Sequence, residues 1–168
     1  MTNYFLAVPL ANHSALAAIV NELLGRGFGV GQKWLHPKDW HLTLYFFGSN
    51  NPQAMLDEKW HAKKMKEFYI RSQKINVFHL KRQDIIMVDC DQDELQLWYQ
   101  ELCSKFSLEP KRFHPHVTLL RQHKKLAPPP PISLTDQLSK TCFEIALFES
   151  RPNQEHKYHI IKTYNLEK

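Results

Sequence analysis

A chain of 168 residues with 43% hydrophobic and 23% charged residues has room for one sizeable core or a tightly joined pair of lobes, in the composition range of globular proteins. It holds no run of eighteen apolar residues, which argues against a membrane span, and its three widely spaced cysteines form no CxxC pair, which argues against a disulfide framework or a structural zinc site. A net charge of +5 hints at an anionic partner, nucleic acid among them.

The basic clusters at 63–66, 81–82, 111–112 and 124–125 are dispersed, and most read as solvated faces. The N-terminal stretch MTNYFLAVPLANH has no basic segment ahead of its apolar run and no clear cleavage site, so it reads as part of the fold. With unpaired cysteines, this makes the cytoplasm the expected address.

In chain order, residues 4–9 (YFLAVP) read as a short strand. Asn12 or Ser14 is placed to cap a helix running to about residue 25, with apolar positions 16, 19, 20, 23 and 24 at helical spacing. GRGFGVG (25–31) ends it in a turn; lacking Gly-Lys-Ser/Thr and following a helix instead of opening one, it does not qualify as a phosphate loop. A strand is expected at 40–47, a helix at 52–67, two strands at 73–80 and 84–90, and a helix at 92–106 with residues 95, 98, 99, 102 and 106 on one side. KRFHPHVTLLR (111–121) reads as a strand entered at Pro115. APPPP (127–131) reads as a stiff spacer, and 141–148 and 157–164 as strands.

One order of elements occurs twice: strand, helix, loop, then a strand carrying His-x-Thr-Leu, at 41–44 and again at 116–119. The histidines lie 75 residues apart. With ten histidines and six threonines in the chain, chance supplies on the order of a third of one His-x-Thr pair. On a strand, residues two apart share a face, about 6.7 Å from each other. The duplication therefore predicts a single domain over 1–168, of α+β class. Its two pseudo-symmetric lobes would pair their strands in a largely antiparallel way, as the adjacent strands at 73–80 and 84–90 and those near the C-terminus suggest.

Two facing histidines supply what phosphoester cleavage requires without a metal. A neutral imidazole takes a proton from the attacking group, and an imidazolium protonates the leaving oxygen. The hydroxyls of Thr43 and Thr118 can donate to the non-bridging oxygens, where charge develops. No ligand set for a metal is readable, including His114 with His116, and no cofactor is implied.

The pair of motifs, and the longer stretches WHLTLYFFG and RFHPHVTLLR, resemble the 2H phosphoesterases, in particular the bacterial RNA 2',3'-cyclic phosphodiesterases, also called 2'-5' RNA ligases. The resemblance implies two lobes, each a mainly antiparallel sheet with flanking helices, around a central cleft, with His41 as proton donor, His116 as proton acceptor, and Thr43 and Thr118 as phosphate ligands. Arg121 corresponds to the arginine that closes the family's second motif, although strict strand alternation puts it off the His116–Thr118 face. Trp34 and Phe113 flank the motifs and could stack a base; Trp40 fits the core. The expected substrates are RNA with 2',3'-cyclic phosphate ends or cyclic nucleotides, with no membrane and no obligate protein partner. The alternatives are a 2'-5' oligonucleotide phosphodiesterase or ligase using the same four residues, and a non-catalytic nucleotide- or RNA-binding module.

Overall fold

The computed structural model describes residues 1–123, 125–132 and 138–168, so Lys124 of the last basic cluster lies outside the described residues. The elements are β1 (Asn3–Pro9), α1 (Ser14–Gly25), β2 (His41–Gly48), α2 (Gln53–Lys63), β3 (Phe68–His79) and β4 (Asp84–Cys90), then α3 (Asp93–Phe106), β5 (His116–Gln122), β6 (Ser139–Cys142), β7 (Glu144–Ser150) and β8 (Tyr158–Asn165). The strands form a sheet in the order β6-β3-β4-β5-β2-β1-β7-β8, with every adjacent pair antiparallel.

Two four-stranded halves meet where β2 pairs with β5, and Leu42 opposite Val117 is the one registered pair between them. These two residues are each other's counterparts under the 75-residue offset of the motifs. A local two-fold axis therefore passes between them, and the two lobes diverge from that point. The cleft of the lobed architecture is the space over this seam.

Helical apolar spacing decides which face of the sheet is covered. Leu16, Ile19 and Leu23 of α1, and Leu95, Trp98, Tyr99, Leu102 and Phe106 of α3, pack with Leu6, Val8, Leu42, Leu44, Val117 and Leu119 into one buried cluster. Each such side chain contributes roughly 1.5–3 kcal/mol when fully buried. The alternate residues of β1, β2, β4 and β5 are left on the opposite face, which carries the polar motif positions.

Several local expectations change. His13 caps α1, its Nδ1 accepting from the Ala15 N–H at 3.3 Å. Asn12 instead takes the left-handed turn at φ +56°, a conformation Asn tolerates. Helix α2 stops at Lys63 because Lys64 adopts a left-handed conformation, and β3 starts at Phe68, earlier than periodicity suggested. Residues 111–115 are not strand. Tyr45 Oη donates to Glu109 O at 3.0 Å, Lys111 N–H donates to Tyr99 Oη at 2.7 Å, and Lys111 Nζ donates to Phe46 O at 2.7 Å, which pins this segment across the end of β2. The expected strand at 141–148 is divided at the exposed Phe143. The polyproline stretch at 127–131 carries no helix or strand, and Arg26 Nη1 donates to its Pro131 O at 2.9 Å. Among the described residues, no helix is long and apolar enough to cross a membrane.

Candidate active site

Because Leu42 and Val117 face the helices, His41, Thr43, His116 and Thr118 share the other face of the sheet. Antiparallel register sets the His41 row beside Thr118 and the Thr43 row beside His116. The four motif side chains thus form a patch with two-fold symmetry at the seam between the lobes. Thr118 is buried, and the other three are half-buried.

Both imidazoles are held in the same way. His41 Nδ1 lies 2.7 Å from Asp39 O, and His116 Nδ1 lies 2.7 Å from His114 O. A carbonyl only accepts, so each Nδ1 carries the hydrogen, and each Nε2 is the ring nitrogen with the lone pair. The two anchoring carbonyls are again 75 residues apart.

The strands also bulge at equivalent places. In β2, Thr43 opposes Ala7 while Tyr45 opposes Leu6, so Leu44 is an extra residue. In β5, Thr118 opposes Met87 while Leu120 opposes Ile86, so Leu119 is extra. A bulge resets the alternation of faces. Arg121 opposes Ile85, two residues before Met87 on β4, and cross-strand neighbours share a face. Arg121 therefore returns to the His116–Thr118 face, against the expectation from unbroken alternation. Its positive charge lowers the proton affinity of both His41 and His116. The symmetric position past the first bulge is Phe46, which opposes Phe5 on the same face.

Around the two histidines the symmetry fails. His41 sits in an aromatic box, with ring centroids 4.9 Å from Phe5, 5.7 Å from Phe148 and 4.7 Å from Tyr158. Burial there is the main cause that pulls its pKa down to about 4; the Asp39 carbonyl opposes the shift, and Arg121 and His116 add to it. His116 is also lowered chiefly by burial, but its neighbours are polar: the His114 carbonyl and the Asp89 carboxylate oppose the shift, while the His114 ring and Arg121 add to it. Neither the aromatic box nor Asp89 stood out in the sequence. Asp89 lies in the apolar run DIIMVDC, and only the register that sets it opposite His116 reveals it.

The patch opens at either end. Beyond His41 lies a cleft of about 660 Å³ whose lining includes Lys33, Trp34, Asp39, Arg121, Lys157 and Tyr158. Beyond His116 is a smaller pocket of about 200 Å³, lined by Thr43, Phe46, Lys111, Arg112 and Phe113 among others. Trp34 is half-buried, its Nε1 donating to Gly29 O at 3.0 Å. A side chain at Gly29, where φ is +70°, would bring Cβ within 2.5 Å of that indole. Phe113 stacks on Tyr99 at 4.4 Å, which occupies one of its faces. Trp40 is buried in the core, as expected. His36 caps the short 3-10 turn Pro37–Asp39, its Nδ1 accepting from the Lys38 N–H. Among the described residues, no group of three or more His, Cys, Asp or Glu side chains is arranged to hold a metal ion.

A twin His-x-Thr patch at the seam of a duplicated antiparallel sheet is the arrangement by which this chain resembles the 2H phosphoesterases, and the comparisons point the same way. The chain is 28% identical to the RNA 2',3'-cyclic phosphodiesterase of Bacillus subtilis, covering 98% of this chain and 96% of that one. It is also 28% identical to the protein of that name from Geobacillus stearothermophilus, of which it spans 57% of the length. Among solved structures, Escherichia coli LigT complexed with 3'-AMP superposes with a TM-score of 0.74 over 99% of both chains at 19% identity, a likeness of fold. No family model matches the chain.

Proposed function

We propose that the protein hydrolyses 2',3'-cyclic phosphates on RNA ends or nucleotides to 2'-phosphomonoesters, with His41 and His116 as the acid–base pair. The observation that carries this reading is the pair of imidazoles related by the local two-fold, each with Nδ1 tied to a carbonyl and Nε2 free. In-line displacement needs a proton acceptor and a proton donor on opposite sides of phosphorus, and two-fold placement provides that. Thr43 and Thr118 donate to the non-bridging oxygens, and Arg121 on the same face adds a charge-assisted contact. The relatives named RNA 2',3'-cyclic phosphodiesterase, and the 3'-AMP bound to LigT, support a nucleotide substrate.

The unequal ends of the patch orient that substrate. The nucleoside and any RNA attached to it take the larger cleft at the His41 end. O3' then faces His41, which protonates it as the P–O3' bond breaks. Water enters from the His116 end, gives its proton to His116 Nε2, and the phosphate stays on O2'. Burial disfavours a charged His41, but the negative phosphate between the imidazoles favours the charged form of each, so the donor state forms with substrate in place. Trp34 serves as a stacking surface for the base in the large cleft. Phe113, in the small pocket beyond His116, offers a second surface that suits the far nucleoside of a 2'-5' linked dinucleotide. Three buried, unpaired cysteines fit a reducing cytoplasm.

Incubation with nucleoside 2',3'-cyclic phosphates and with 2'-5' dinucleotides, followed by phosphorus NMR, tests the reading. A 2'-phosphomonoester from the cyclic substrate is expected. A predominant 3'-phosphate would reverse the substrate's orientation, and binding without turnover would make the protein a nucleotide-binding module.

A further inference from the structure

Asp89 is buried to 4% exposure, yet among the described residues no lysine or arginine lies at ion-pair distance from it. Its Oδ1 accepts from His114 Nε2 at 2.8 Å, and its Oδ2 accepts from Asn76 Nδ2 at 3.0 Å. His114 is held from its other side by Gln92, whose Nε2 donates to His114 Nδ1 at 3.1 Å. The His114 ring is thus fixed from both sides, and both carboxylate oxygens of Asp89 accept hydrogen bonds. Across β4 and β5, Asp89 is the registered neighbour of His116. The backbone carbonyl of His114 is the group that fixes His116 Nδ1. By the two-fold, the place of Asp89 beside His41 belongs to Pro9, which can do none of this.

Resting on the acid–base reading above, we propose that Asp89 and His114 are positioning residues for His116 and assign it the role of base. Asp89 anchors the His114 ring, the carbonyl of that residue aims the His116 imidazole, and the carboxylate stabilises the imidazolium formed when His116 takes the proton of water. The aromatic box offers His41 no such partner, which is how a symmetric pair is made to act asymmetrically. The charged and titratable groups that face His116 are Asp89 from β4, His114 from the segment before β5, Arg121 from β5 itself and His41 from β2, with Lys111 and Arg112 lining the pocket beyond. Of these, Asp89 alone is an anion.

The test is the pH dependence of kcat/KM for 2',3'-cyclic AMP with wild type, Asp89→Asn and His114→Gln. The isosteric Asp89→Asn change removes the charge, so the acidic limb moves to lower pH by about one unit while the alkaline limb stays. His114→Gln removes the anchored ring and lowers kcat about tenfold, with KM within about twofold of wild type. Thermal unfolding confirms that each variant is folded; should Asp89→Asn not fold, His114→Gln decides alone. An unmoved acidic limb in folded Asp89→Asn, a shift of its alkaline limb instead, or a wild-type kcat in His114→Gln would overturn the proposal with the hydrolytic reading intact. A wild-type protein that hydrolyses no cyclic phosphate would remove that reading itself.

Discussion

Phe46 and Arg121 hold equivalent places in the two halves of the molecule, each three residues beyond its motif threonine and each returned to the cleft face by a bulged leucine. One half therefore offers the cleft an aromatic ring and the other a guanidinium. If Arg121 contacts the phosphate, Arg121→Gln loses a charge-assisted hydrogen bond, and kcat/KM for a cyclic mononucleotide falls by roughly 10–100-fold. Phe46→Leu on the same assay stays within about threefold of wild type. Equal, small losses in both variants would take Arg121 out of the site.

The histidines carry the largest predicted effects. His41→Ala and His116→Ala each lower kcat by at least ~100-fold, the lower range for lost acid–base catalysis. Thr43→Ala and Thr118→Ala cost less, since each removes one hydrogen bond to phosphate. Steady-state kinetics on proteins with unchanged circular dichroism spectra measure this; near-wild-type turnover by either folded histidine variant would end the two-histidine mechanism.

The aromatic box around His41 couples stability to pH. Its folded pKa of about 4 lies below the ordinary 6.5, so between these values the unfolded chain binds a proton that the folded one does not. The stabilisation is complete above pH 6.5, declines as the pH falls, and is exhausted below about 4. A gap of that size corresponds to about 3 kcal/mol, and His116, shifted in the same direction, adds to it. Urea unfolding of wild type and His41→Asn from pH 7.5 to 4.5 should show a flatter pH profile for the variant. Parallel profiles would mean that His41 is not buried in its neutral form.

Chelation should leave hydrolysis unchanged. In the proposed mechanism the threonine hydroxyls and Arg121 take on the charge stabilisation for which a divalent ion is used elsewhere. Activity after exhaustive treatment with a chelator measures it; loss restored by one particular metal would turn the imidazoles into ligands.

Sequence by itself determined the repeat, most of the elements and the four motif residues. His-x-Thr spacing places both side chains on one strand face whatever the strand pairs with, and α1 and α3 declare their buried sides through helical periodicity. Local signals failed where long-range contacts decide. Residues 111–115 look like strand until Tyr45 holds Glu109, and Tyr99 and the Phe46 carbonyl hold Lys111, across the end of β2. The face of Arg121 depends on a bulge that exists only as a mismatch in length between paired strands. Asp89, Phe5, Phe148 and Tyr158 carry no motif, and they surround the histidines because register and strand order bring them there. Chemical symmetry was therefore written in the chain, while the difference between the two histidines arises from which neighbours the tertiary fold sets beside each, since burial and nearby charge, not residue type, separate their proton affinities.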